Sequence, residues 1–146
     1  MFRTPDALRA ESAIMERAMK ALSDFGMMDE RNETAMSLPH GKQKALGILM
    51  ALSTDPKLLL LDEPTAGMSG AETGEIMRLI SRIKGAGVTV MLVEHDLRVV
   101  MGVCNRVIVL NFGCKIAEGS PEEIAQNESV ISAYLGFDHS KESMNE

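Results

Sequence analysis

The chain contains a continuous apolar run, Leu58 to Leu61, that ends directly in Asp62, Glu63 and Pro64. A strand with one solvated face alternates apolar and polar side chains, whereas a strand of a parallel sheet is buried on both faces and shows an unbroken apolar run. The run therefore predicts a buried strand of a parallel sheet with two acids at its C-terminal end. Because ligands of open parallel sheets bind outside these strand ends, the same position is the first candidate for a functional site.

The segments after this run alternate between helical and strand patterns. Ser69 opens a capping box for a helix that continues to about Lys84. The apolar segment from Val88 to Val93 is typical of a second buried strand, and Asp96 is a good cap for a short helix after it. This alternation predicts an α/β fold with a mostly parallel sheet and flanking helices.

Helical patterns also lie on both sides of this core. Pro5 is expected at the start of a first helix that ends near Gly26, and a second helix is expected over residues 42–52. A hairpin is predicted over residues 106–117, and a capping box opens a last helix over residues 120–135. The predicted segments are a helical subdomain at 1–54, an α/β core at 55–118, a helical segment at 119–137 and a disordered polar tail at 138–146.

Composition argues against several classes of function. The formal net charge of −6 argues against sequence-independent nucleic-acid binding, which depends on lysine and arginine. No apolar run approaches the roughly 20 residues that cross a bilayer, so membrane association is expected only through partners. Cys104 and Cys114 lack metal-binding spacing and are expected to be reduced thiols of a cytosolic protein.

The two acids after the first strand suit phosphate chemistry. One carboxylate can hold a hydrated Mg²⁺ together with substrate phosphates. The other can orient or deprotonate a water molecule, an effect usually worth about 10²–10⁴ in rate. His95 follows the second predicted strand and can hydrogen-bond a terminal phosphate. Each feature has a simpler explanation when taken alone, because Asp-Glu-Pro can cap a turn and a single histidine is often structural.

Four segments in order resemble the motifs of ABC-transporter ATP-binding subunits. Residues 37–43 (SLPHGKQ) resemble the signature motif, and residues 58–65 (LLLLDEPT) resemble the Walker B strand with the catalytic glutamate beside the aspartate. Residues 66–69 (AGMS) fall where this family has its D-loop, and residues 93–96 (VEHD) resemble its switch-histidine segment. The resemblance covers residues 5–136 and implies a partial P-loop NTPase-like fold.

The resemblance also implies a role for each of the strand-end residues. Asp62 would coordinate Mg²⁺ through water, Glu63 would act on the attacking water, and His95 would sense the γ-phosphate of ATP.

The signature and D-loop residues would act across a dimer. The resemblance implies that Leu38, Gly41, Lys42 and Gln43 help to cover ATP held by the opposite subunit. The segment Gly67-Met68-Ser69 would make D-loop contacts to that subunit. Free N–H groups at the helix start after a Gly41 turn are expected to favour phosphate, with the cation of Lys42 nearby.

The C-terminal region allows a finer comparison. Residues 119–124 (GSPEEI) and 133–136 (AYLG) resemble the C-terminal segment of branched-chain amino acid importer ATPases, and residues 38–41 and 65–68 resemble the same branch. This implies coupling of ATP hydrolysis to import, with a urea or amide importer as the open alternative. The implied partners are a second ATP-binding subunit, in a homo- or heterodimer, and transmembrane permease subunits. The implied location is the cytoplasmic face of the inner or plasma membrane, with no nucleic acid bound.

The sequence departs from the family pattern in several places. Pro39 stands where the signature motif usually has a serine, and Ser69 replaces or neighbours the usual D-loop aspartate. No G-x-x-x-x-G-K-[ST] phosphate loop is present, since the pair Gly41-Lys42 is followed by Gln43. The family's base-stacking aromatic residue and glutamine loop are missing as well. The chain is therefore expected to correspond to the C-terminal part of such a subunit and to be inactive alone.

Several alternatives stay open at this stage. The chain can be an incomplete subunit or a separately encoded remnant, and it can act as a non-catalytic module that pairs with a full-length ATPase or a membrane subunit. A response-regulator receiver is disfavoured because no acidic pair lies on an earlier strand. DNA-repair relatives of ABC ATPases are disfavoured by the acidic charge and the lack of coiled-coil heptads.

Overall fold

A computed structural model describes residues 4–133 of the chain, so that the predicted tail at 138–146 and the end of the last predicted helix lie outside the described residues. The chain forms two compact units, unit 1 ending at Glu94 and unit 2 beginning at His95. Unit 1 contains α1 (Pro5–Asp24), α2 (His40–Leu52), β1 (Leu58–Asp62), α3 (Gly70–Gly85) and β2 (Thr89–Val93). Unit 2 contains α4 (Leu97–Val103), β3 (Val107–Asn111), β4 (Cys114–Gly119) and α5 (Pro121–Ala125).

Strands β1 and β2 pair in parallel, as the sequence predicts. The register runs from Leu58 opposite Thr89 to Asp62 opposite Val93, so the two strands end together. Helix α3 is the crossover between them, which parallel strands require. Its start is the predicted capping box, since the side chain of Ser69 accepts a hydrogen bond from the N–H of Glu72.

Helix α3 supplies four side chains to the core of unit 1. Its buried side chains are Ile76, Leu79, Ile80 and Ile83, at the spacing that places apolar residues on one side of a helix. Helix α3 packs against α2 and β2. Leu59 of β1 is also buried. The core therefore lies on the α3 side of the strand pair.

The prediction that the two strands are buried on both faces is wrong for the described structure. Leu58 and Leu60 of β1 are 51% and 65% exposed, and Met91 and Val93 of β2 are 58% and 54% exposed. These side chains alternate with Leu59 along the pleat and point to the other face. None of the described residues covers this second face. The strand pair therefore has one solvated face, although the apolar run of β1 has the pattern of an interior strand.

Helix α1 has the sequence of an amphipathic helix but contains no buried residue. Leu8, Ile14 and Met15 on its apolar stripe are 48%, 67% and 56% exposed. The C-terminal end of α1 is attached to α3, because Arg82 Nη1 donates a hydrogen bond to the carbonyl oxygen of Asp24 at 3.3 Å. Thr4 caps its start by accepting from the N–H of Ala7, as expected for a Thr-Pro helix opening.

Unit 2 confirms the predicted hairpin and corrects the last helix. Strands β3 and β4 are antiparallel, and their turn has φ of 46° at Phe112 and 77° at Gly113. Helix α5 ends at Ala125, and residues 128–133 form a separate helical segment. Asn127 separates the two because its Oδ1 accepts from the N–H groups of Ser129 and Val130 at 3.0 and 3.2 Å.

Within residues 4–133, no helix is both long and apolar enough to cross a membrane.

Truncating the core side chain Ile80 to alanine is expected to destabilise the chain by about 2–5 kcal/mol, because the side chain is 1% exposed and its loss leaves a cavity. The matched control is Ile14→Ala on α1, where the same chemical change at a side chain that is 67% exposed should alter the free energy of unfolding by no more than about 0.5 kcal/mol. Chemical denaturation measures both. Equal effects at the two positions would contradict the described core.

Candidate functional site

The C-terminal end of β1 carries the acids that the sequence analysis selects. Asp62 is the last residue of β1 and lies opposite Val93, the last residue of β2. Its carboxylate belongs to an exposed residue at the strand edge where ligands of open parallel sheets bind. Glu63 follows directly and is also exposed. The structure therefore places both acids, as consecutive exposed residues, at the predicted edge.

Glu63 has a backbone conformation that is unusual for a residue with a side chain. Its φ is 42°, in the left-handed region that costs a non-glycine residue roughly 1–2 kcal/mol. Its N–H donates to the carbonyl oxygen of Val93 at 2.9 Å, and its own carbonyl accepts from Ala66 N–H at 3.2 Å. Lys44 Nζ donates to the same carbonyl at 3.1 Å. Such strained positions persist only where surrounding contacts hold them, and they cluster at functional sites.

The loop after Glu63 is tied to the end of β2. Thr65 is buried, and its N–H donates to Glu94 Oε1 at 3.1 Å. The hydroxyl of Thr65 also donates to this carboxylate oxygen. This link joins two strand ends that are 29 positions apart in the chain. This link is not predictable from the sequence, because an isolated threonine and an isolated glutamate carry no local signal of a contact.

The segment 66–69, predicted as the D-loop, is a turn followed by a helix cap. Met68 N–H donates to the carbonyl of Thr65 at 3.2 Å, which closes the turn. Gly67 lies within it at a φ of 74°, a conformation that glycine adopts without steric cost. Ser69 caps α3, so the helix-cap explanation of this residue is confirmed.

The predicted geometry around Gly41 is wrong in one respect. Helix α2 begins at His40, so Gly41 lies in its first turn rather than in a loop before it, and Gly41 is buried. The N–H of Gly41 donates to Glu72 Oε1 at 3.3 Å instead of being free for phosphate. The pKa of Glu72 lies below its usual value. The largest cause is the hydrogen bond from the hydroxyl of Ser69, followed by the bonds from the N–H of Ser69 and the N–H of Gly41.

Two further residues of the predicted signature motif stabilise their own segment. Gln43 Nε2 donates to the carbonyl oxygen of Leu38 at 2.8 Å, and Gln43 N–H donates to the carbonyl of Pro39 at 3.0 Å. The side chain of Leu38 is buried and anchors the segment in the core of unit 1.

Lys42 is paired with an acid of the preceding connection. Its ammonium group donates to Glu30 Oε1, which raises the pKa of Lys42 and lowers the pKa of Glu30. The positive charge that the sequence analysis expected beside the helix start is therefore balanced by Glu30 in this structure.

His95 opens unit 2 and is exposed. The next residue, Asp96, caps α4 by accepting from the N–H of Arg98 at 2.9 Å. The guanidinium of Arg98 also donates to both carboxylate oxygens of Asp96, at 3.1 and 2.7 Å, and lowers the pKa of Asp96. The predicted cap at Asp96 is confirmed.

The donor set at the strand end fits a magnesium ion that arrives with a nucleotide. Among the described residues, no three His, Cys, Asp or Glu side chains converge as a metal site. Mg²⁺ commonly keeps several waters and binds through one or two carboxylates plus substrate phosphates. The exposed carboxylate of Asp62 suits that arrangement.

Two family models match the chain. The model described as ABC transporter matches residues 3–66, and the model described as Branched-chain amino acid ATP-binding cassette transporter matches residues 114–138. The structure of the ADP conformation of MJ1267, an ATP-binding cassette of an ABC transporter, superimposes with a TM-score of 0.78 at 28% identity, over 85% of this chain and 50% of that chain. The chain thus belongs to the ATP-binding domains of ABC transporters, and the expected P-loop NTPase-like fold class is confirmed.

Within this family, the chain is similar to branched-chain amino acid transport ATP-binding proteins. It is 40% identical over 137 residues to LivG of Salmonella typhimurium, a match that spans 93% of this chain and 54% of LivG. It is 39% identical over 137 residues to BraF of Pseudomonas aeruginosa, with the same coverage of 93% and 54%. The chain therefore spans about half the length of the curated relatives it matches.

Proposed function

We propose that the chain is the C-terminal part of an ATP-hydrolysing subunit that drives the import of branched-chain amino acids. The proposal is supported by the identity to LivG and BraF and by the match of residues 114–138 to the branched-chain family model. The coupling would run through transmembrane permease subunits and a second ATP-binding subunit, at the cytoplasmic face of the membrane.

The observation that carries the catalytic part is the strained Glu63 at the end of a parallel strand, directly after Asp62. In the proposed role, Asp62 holds Mg²⁺ through water, and the ion supplies charge neutralisation to the phosphates of ATP. Glu63 accepts a hydrogen bond from the attacking water and orients it. His95 donates a hydrogen bond to the γ-phosphate, as the family resemblance implies.

The proposed dimer contacts come from two segments of unit 1. Leu38, just before α2, and Gly41, Lys42 and Gln43 in its first turn would cover ATP bound by the opposite subunit. The turn at Gly67-Met68-Ser69 would contact the same subunit. Gln43 and Leu38 would contribute indirectly, by holding the backbone of the segment in place.

A fusion protein tests the transport role. The part of LivG that this chain does not match is joined to the chain, and we call the product the restored ATPase. Cells that lack LivG but retain the other subunits of its transport system are expected to regain high-affinity leucine uptake when they express it. Intact LivG is the positive control, and the fusion with Asp62→Asn is the negative control. Robust ATP hydrolysis without leucine uptake would contradict the proposed cargo but not the proposed hydrolysis.

A further inference from the structure

The side chain of Glu72 bridges two segments that are far apart in the sequence. Its Oε2 accepts hydrogen bonds from the N–H and the hydroxyl of Ser69, at 2.9 and 2.7 Å. Its Oε1 accepts from the N–H of Gly41, at 3.3 Å. The carboxylate therefore connects the turn after β1 to the first turn of α2, across 31 positions of the chain.

A capping box alone does not require the second of these contacts. The chain provides a direct comparison, because Ser120 and Glu123 form another capping box at the start of α5. There, Glu123 Oε2 accepts from Ser120 N–H at 2.7 Å, and Ser120 Oγ accepts from Glu123 N–H at 3.3 Å. The two boxes thus share the reciprocal backbone bonds of a cap, whereas Glu72 also bonds the start of another helix.

The small size of Gly41 makes this approach possible. A β-carbon at Gly41 would lie 3.1 Å from Cγ and 3.1 Å from Oε1 of Glu72, closer than such atoms normally approach. The backbone of Gly41 is helical and its φ is not positive, so conformational freedom is not the reason for a glycine there. The glycine at position 41 instead leaves room for the Glu72 carboxylate to reach the Gly41 N–H.

We propose that Glu72 is a positioning residue that fixes the turn 67–69 relative to the start of α2. The inference rests on the proposed function, in which the start of α2 covers the nucleotide of the opposite subunit and the turn 67–69 contacts that same subunit. Two segments that must meet one partner subunit together need a fixed separation, and a carboxylate with one oxygen on each segment provides it. His40, on the same first turn of α2, is the titratable side chain whose charge acts on Glu72.

Glutamine at position 72 separates this role from a helix cap. A carboxylate accepts with both oxygens, whereas an amide accepts with one and donates with its NH₂ group. In Glu72→Gln, the amide oxygen can therefore accept from only one of the N–H groups of Ser69 and Gly41. The NH₂ group would then face the other N–H, donor against donor. In Glu72→Asp, the shorter side chain retains a cap at Ser69 but does not reach Gly41. Glu123→Gln is the matched control, because it makes the same change in the local capping box of unit 2.

The experiment uses the restored ATPase and two readouts. Hydrogen–deuterium exchange of the Gly41 amide is expected to accelerate about tenfold or more in Glu72→Gln and Glu72→Asp, the size expected for losing a bond to a charged acceptor. The kcat for ATP hydrolysis is expected to fall about ten- to hundredfold at unchanged Kd for ATP, because misplaced groups slow the chemical step. Glu123→Gln should change neither quantity.

Two results would overturn the inference. Unchanged Gly41 exchange in Glu72→Gln would show that the carboxylate does not hold that N–H. Equal losses of kcat in Glu72→Gln and Glu123→Gln would assign Glu72 to capping alone. Hydrogen exchange is measured without ATP, so it tests the role of Glu72 even if the restored ATPase does not hydrolyse ATP. A restored ATPase without activity would count against the proposed function and not against the role of Glu72.

Discussion

Replacing Glu63 with glutamine in the restored ATPase is expected to lower ATP turnover by about 10²–10⁴-fold, the usual contribution of a general base or water-orienting group. The amide keeps the size of the side chain and loses the negative charge and one acceptor oxygen. The backbone contacts of Glu63 to Val93 and Ala66 involve no side-chain atom, so they should survive the change. The substitution should therefore alter the chemistry without moving the turn.

Measuring ATP affinity beside turnover distinguishes a role of Glu63 in hydrolysis from a role in ATP binding. The Kd for ATP should stay within about threefold of the unmodified protein, since the proposed role of Glu63 is towards water and not towards the nucleotide. Phosphate release measures turnover, and titration with a fluorescent ATP analogue measures affinity. Glu33→Gln, at an exposed glutamate of the connection before α2, is the control for a lost charge. Turnover that is unchanged in Glu63→Gln would remove this residue from the mechanism.

The features that the sequence predicted well are those encoded by neighbouring residues. The parallel pair β1 and β2 follows from two short apolar runs with a helical segment between them. The caps at Ser69, Asp96 and Ser120 follow from residue types three positions apart or less. The position of Asp62 and Glu63 at a strand end follows from the same local pattern.

The features that the sequence did not reveal depend on distant partners. Glu72 looks like an ordinary capping residue, and only the fold brings Gly41 to its second oxygen. Lys44 supports the strained backbone of Glu63 from 19 positions away. The start of α2 at His40 was missed because Pro39 occupies the cap position without a side-chain acceptor, so the usual sequence signal of a helix start is absent. Local patterns specify elements, whereas these contacts arise from packing.

The exposed apolar face of the strand pair shows a second limit of local patterns. The run at Leu58 to Leu61 has the composition of a strand with two buried faces, yet Leu60 is 65% exposed in the described structure. An apolar run shows that both faces of a strand can be buried, but it does not show which segments cover them. An exposed apolar face of this kind is typical of a surface that packs against other protein.

The chain of 146 residues is expected to bind ATP at least about a thousandfold more weakly than the restored ATPase. A phosphate loop supplies several N–H bonds to charged oxygens, each worth roughly 1.5–3 kcal/mol, so three of them contribute about 4.5 kcal/mol or more. No G-x-x-x-x-G-K-[ST] segment occurs in the sequence to provide them.

The start of α2 does not replace the missing phosphate loop, because groups there that suit phosphate already have partners within the chain. The N–H of Gly41 donates to Glu72, and the ammonium of Lys42 pairs with Glu30. Calorimetric titration with MgATP measures the affinity of the chain and that of the restored ATPase. In the restored ATPase, replacing the lysine of the phosphate loop with alanine should move the Kd for ATP towards that of the chain alone. Affinities within tenfold of each other would show that this chain holds ATP by groups of its own, and the proposed division of labour between the two parts of the subunit would be wrong.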